Sequence, residues 1–150
     1  MSTQAQIAIH RAITEAQGKY TYFLLAAAGA TIALAVNQTQ GLPLTWSQIP
    51  LGLAVSALGL SFFCGCRQLE YVSSILYTNA EILRAESGNH PKVGNNPSFI
   101  AAAREGMLHA LEKNAETAVE FGHWQFRLLI TGGVLYVAWH VWEMYLQGVG

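Results

Sequence analysis

The chain is poor in charge and has no aspartate at all: its nine acidic residues are all glutamate. Charged residues make up 11% of 150, against about 25% in an ordinary globular domain. A formal net charge of −1 excludes a nucleic-acid binder that works through bulk positive potential, so no nucleic-acid partner is expected. Only two cysteines are present, Cys64 and Cys66. They are too few for a disulfide scaffold, and two positions apart on a helix they point about 200° from one another, so they cannot chelate together. No phosphate-binding glycine loop, dinucleotide loop, serine elbow or HExxH pattern occurs.

The scarce charges are unevenly placed. None lies between Lys19 and Arg67, whereas thirteen lie from Arg67 to Arg127. A soluble helix needs polar cover on its outer face, and the charge-free stretch offers none. Turn formers Asn37, Gly41, Pro43 and Ser47 divide it into two apolar runs. A third run covers 128–146, with His140 and Glu143 near its far end. At about 1.5 Å per residue each run spans roughly 25–29 Å, close to the ~30 Å of a bilayer core. Ala33-Leu34-Ala35 has the small-residue pattern of a leader-cleavage site; the run is read here as a retained span. The fold class expected is therefore all-α: an integral membrane protein with three transmembrane helices and a cytoplasmic antiparallel helical hairpin between the second and third. The divisions are an N-terminal amphipathic helix at 1–19, spans at 20–37, 48–66 and 128–146, an outer loop at 38–47, the hairpin at 67–127 with its turn at 88–97, and an outer tail at 147–150.

Lys and Arg set the orientation. The first tail carries two, the loop at 38–47 none, the segment from Arg67 to Arg127 six, and the last tail none. By the positive-inside rule the N-terminus and hairpin face the cytoplasm of a cell or inner membrane, and the C-terminus faces the exterior or periplasm. Trp46, Trp139, Trp142 and Tyr145 then fall at the outer interface, and Tyr20, Tyr22, Phe23 and Trp124 at the inner one.

Within the hairpin, Leu69, Val72, Leu76, Ala80 and Leu83, widened by Ile75 and Ile82, recur at helical spacing. Gly88 is the expected stop, and Asn96 with Pro97 the expected restart. Ile100, Ala103, Met107, Ala110, Asn114, Ala118 and Phe121 form the second stripe. Counted from the turn, Asn79 and Asn114 are out of register and are expected to meet other neighbours than each other. Arg104 is placed to meet Glu81 across the turn. In the first tail Ala5, Ile9, Ala12, Ile13 and Ala16 share a face that could lie on the membrane surface.

No catalytic residue, cofactor or metal site is expected. Arg104 and His109 have an R-x4-H spacing that resembles the signature of HEPN-type ribonucleases over six residues. Five positions turn two side chains about 140° apart on a straight helix, so they diverge. His123 and His140 are too far apart along one helix to grip a haem together. Two polar groups remain to be placed: Glu120, His123 and Arg127 at the inner membrane boundary, on one helical face, and the outer-boundary pair His140 and Glu143. Small residues let helices approach closely in lipid, and Gly29, Gly52, Ser56, Gly59, Gly132 and Gly133 are the expected oligomer-packing positions. The function expected is that of an oligomeric inner-membrane assembly or docking subunit. Its partners would be the lipid bilayer, further copies of itself as a homo-oligomer, and a cytoplasmic protein met by the hairpin. The alternative is a channel or membrane-permeabilising effector gated by the hairpin. An enzyme is not expected, because polar catalytic groups do not converge in the spans.

Overall fold

The computed structural model describes residues 3–40, 46–87 and 97–149, with side chains from Ala12 onward except those of 13, 14, 147 and 149. Among these residues all regular structure is helical: α1 (Thr3–Gln38), a single 3₁₀ turn at Trp46–Gln48, α2 (Ile49–Glu86) and α3 (Pro97–Val149). The expected loop residues Gly41 and Pro43, the turn with Gly88 and Asn96, the last residue of the outer tail, and the tail side chains of Ala5, Ile9 and Ile13 lie outside the described residues.

Each helix boundary has a local cause. Thr39 closes α1: its hydroxyl donates to the carbonyls of Ala35 and Val36 at 3.0 and 3.1 Å, occupying acceptors a helix end leaves free. Pro50 in the first turn of α2 fits a position where no backbone donor is required. Ser87 ends α2 through a backbone bond to the Leu83 carbonyl at 3.0 Å and a hydroxyl bond to Arg84 at 2.9 Å. Pro97 opens α3. No break separates 3–19 from 20–38, so the expected surface helix and first span form one 36-residue helix.

Contacts divide the chain into two units, 1–66 with 122–150, and 67–121. In the first, α1, α2 and α3 pack together. Buried positions on α2 are Leu51, Ala54, Leu58 and Ser61, and on α1 Thr21, Leu24, Ala28 and Ala35. On α3 they recur every seven residues: Gln125, Gly132 and Trp139. α2 and α3 run antiparallel. Trp139 packs on Leu51 and Ala35, Gly132 faces Leu58 and Ala54, and Gly65 faces Gln125 and Leu25. A seven-residue interval is that of a left-handed coiled pairing.

In the second unit the arms of α2 and α3 pair antiparallel. Asn114 Nδ2 donates to Ser74 Oγ at 3.1 Å, and the Tyr71 and Phe121 rings stack at 5.8 Å. Arg104 Nε meets Glu86 at 3.0 Å instead of Glu81, which pairs with Arg84 at 2.8 Å within α2. The expected first stripe holds in part: Leu69, Val72, Ile75 and Ile82 are buried or partly buried, whereas Leu76, Ala80 and Leu83 are exposed and Ala85 is buried in their place. Two apolar faces run along this arm, and α3 takes the one through Ile75 and Ile82.

α1 and α2 are each long and apolar enough to cross a membrane. Of the most apolar stretch within each, only 22% and 33% is buried, which is little for the core helix of a soluble bundle. α3 does not reach the same apolarity. Residues 128–146 include Gly132, Gly133, His140, Glu143 and four aromatic residues with polar atoms, and these lower the mean hydropathy. The structure thus gives two membrane-competent helices where three spans were expected.

Candidate functional site: a polar layer inside the helix bundle

The least expected feature of the first unit is a buried amide. Gln125 is 1% exposed, on the same seven-residue series as Gly132 and Trp139. Neither its Nε2 nor its Oε1 has a hydrogen-bond partner. Its backbone carbonyl accepts from Ser61 Oγ at 2.7 Å, a bond that joins α3 to α2. The amide lies against Gly65: a Cβ there would stand 2.4 Å from Nε2 and 2.7 Å from Leu25 Cδ2. Gly65 thus leaves room for the ends of the Gln125 and Leu25 side chains where three helices meet. Thr21 is a buried polar residue of α1, its hydroxyl donating to the Gln17 carbonyl at 3.1 Å.

Sequence reasoning missed Gln125 because charge drew attention to its neighbours. Glu120, His123 and Arg127 are all exposed. The Arg127 guanidinium lies over the Trp124 ring, 6.0 Å from its centre, a contact that covers a cation without a carboxylate. The signal that finds Gln125 is an interval of seven: it stands seven residues before Gly132, which stands seven before Trp139. Ser61→Ala should cost about 1 kcal/mol, the net worth of a buried hydrogen bond, because it also leaves the Gln125 carbonyl with one donor fewer. Reversible unfolding in detergent would measure it.

The expected packing residues separate into two sets. Gly132 is used within the chain, where an added Cβ would meet Leu58 Cγ at 2.7 Å and the Ala54 carbonyl at 3.1 Å. Gly29, Gly52, Gly59 and Gly133 face open space. Ser56 is exposed and donates to Gly52 at 2.8 Å. His140 is exposed and its ring stacks on Tyr136 at 6.5 Å, while Glu143 is partly buried. Tyr136 OH donates to Gln38 Oε1 at 2.7 Å, tying α3 to the end of α1. Cys64 and Cys66 are free thiols, and among the described residues no three His, Cys or Glu side chains are close enough to share a metal ion. His109 is exposed, and Arg104 is engaged by Glu86.

These features define, among the described residues, an all-helical protein with two membrane-competent helices and a buried glutamine where three of its helices meet. The chain matches no protein-family model, no curated protein and no solved structure.

Proposed function

We propose that the chain is a membrane-embedded assembly subunit that associates with further copies of itself through residues 67–121 and can dock a cytoplasmic protein there. In this reading α1, the first part of α2 and residues 128–146 of α3 are spans. The N-terminus and the segment at 67–121 are cytoplasmic, and the C-terminus is outside. The count of Lys and Arg supports that threading. An apolar outward stripe on α3, with Ile130, Val134, Val137 and Val141 all more than half exposed, supports the third span.

One observation carries the assembly reading. Among the described residues of 67–121, only Ile82, Ala85 and Ala118 are buried, while Leu76, Tyr77, Leu83, Phe99 and Leu108 are 43–68% exposed. Twelve of the chain's seventeen charged residues lie in the same segment, so lipid cannot cover it. Two helices bury too little by themselves, and a second hairpin laid on the Leu76, Ala80 and Leu83 stripe would complete a four-helix bundle. Conduction has less support. Thr31 and Ser56 spend their hydroxyls on their own helices, and Ser61 on Gln125.

The test is association in mild detergent. Native mass measurement should give oligomers for the unaltered chain. Leu83→Glu should weaken association at least about tenfold, since it removes a buried leucine worth ~1.5–3 kcal/mol. With both cysteines replaced by serine, Leu83→Cys should form a disulfide-linked dimer in membranes. A strictly monomeric unaltered chain would overturn the reading.

A further inference from the structure

We propose that a second copy of this chain packs along α2, parallel and in register, with Gly52, Gly59 and Cys66 inside the contact. Two series of five residues run along α2, each at intervals of seven. One is small throughout: Gly52, Gly59, Cys66, Ser73 and Ala80. The other is large and apolar throughout: Val55, Phe62, Leu69, Leu76 and Leu83. The two are offset by three and four positions, so they share one face of the helix. Neither contains a charge, although α2 carries Arg67, Glu70, Glu81, Arg84 and Glu86. The face is open. A Cβ added at Gly52 or Gly59 would meet nothing within 4 Å. Phe62, Ser73, Leu76, Ala80 and Leu83 are exposed, and Val55, Cys66 and Leu69 are partly buried.

The pattern decides what covers this face. Lipid can lie on Gly52 and Gly59, but both series continue among the charges of 67–121, where lipid cannot follow. The occupant is therefore a protein helix that keeps the same interval, and a second α2 is one. In a parallel pair the small positions let the backbones approach and the large ones fill the space between. A strict interval of seven gives a left-handed crossing of about 20°. Copies threaded the same way through one membrane run parallel. Charge permits the pairing. Glu70, Arg84 and Glu86 flank the seam, and each is already paired within the chain, with Arg67, Glu81 and Arg104. A parallel seam sets Asn79 against Arg84 and Val72 against Tyr77, so like charges do not meet.

This inference rests on the self-association proposed above and extends that contact into the membrane. The native thiols report it. Cys66 lies in the seam, and Cys64, two positions earlier, points about 200° away from it. Copper–phenanthroline with oxygen as oxidant, applied to the full chain in membranes, should join two copies through Cys66. Each thiol gives up its hydrogen and one electron, and the two sulfurs bond. The dimer should form in the unaltered chain and in Cys64→Ser, and vanish in Cys66→Ser. Gly59→Leu should weaken association in mild detergent at least about tenfold by overfilling the seam. Gly133→Leu, equally open but on α3, should leave association unchanged. A cross-link carried by Cys64 alone, or association indifferent to Gly59→Leu, would overturn the proposal. A chain that associates and is weakened by Leu83→Glu, yet shows neither effect, confines the contact to 67–121 and overturns this inference alone. A strictly monomeric chain overturns the assembly reading with it.

Discussion

Gly132→Ala should destabilise the helix bundle by about 1–3 kcal/mol, the usual cost of overpacking a filled interior, whereas Gly133→Ala should leave it unchanged or gain up to ~1 kcal/mol. The two glycines are adjacent in sequence and opposite in surroundings. A methyl on Gly132 meets Leu58 Cγ at 2.7 Å and the Ala54 backbone oxygen at 3.1 Å, whereas one on Gly133 meets nothing within 4 Å. Leu58 is itself 1% exposed and has nowhere to turn, and a backbone oxygen yields only if α2 moves. At Gly133 the substitution only removes the backbone freedom of an open glycine. Denaturant or SDS titration of the two variants in one detergent, followed by helix circular dichroism, measures the difference. Equal effects at the two positions would refute the close approach of α2 and α3.

Gln125→Met should raise stability by about 1–3 kcal/mol, against the usual expectation that a core substitution does harm. The side chains are of similar length, so the space beside Gly65 stays filled. The substitution removes two buried polar atoms that have no partner. A polar residue at a repeating interior position also specifies register at the expense of stability. The same variant is therefore expected to unfold later but less cooperatively. The titration that compares the two glycine variants serves here too. A loss of more than about 1 kcal/mol would mean that the amide has a partner in the native protein.

The sequence made the helical class legible, along with most of the second arm. The expected stripe through Ile100, Ala103, Met107, Asn114 and Ala118 coincides with buried or partly buried positions, and only Ala110 yields its place to Leu111. In the first arm Leu69, Val72, Ile75 and Ile82 were placed rightly, but Leu76, Ala80 and Leu83 were not, because the arm carries two apolar faces of equal periodicity. Spacing alone cannot say which of them α3 takes. Asn114 meets Ser74, and Asn79 is exposed, in accord with the expected offset. At the candidate site, charge was a poor guide. Glu120, His123 and Arg127 stand on exposed faces of α3, whereas the uncharged Gln125 falls on the face that meets α2 and is enclosed. Its importance depends on Gly65 and Ser61, sixty residues and more away in the chain, which no local pattern links to it.

The regular opposition of Leu51, Leu58 and Gly65 to Trp139, Gly132 and Gln125 also constrains how the gene can change. Inserting or deleting one codon in the middle of either helix would rotate everything beyond it by about 100°, turning glycines toward solvent or lipid and bulky side chains toward one another. Insertions of a whole repeat, matched in both helices, preserve the facing partners. Natural variants of this protein should therefore differ in helix length by multiples of the repeat, with irregular length changes confined to the connections.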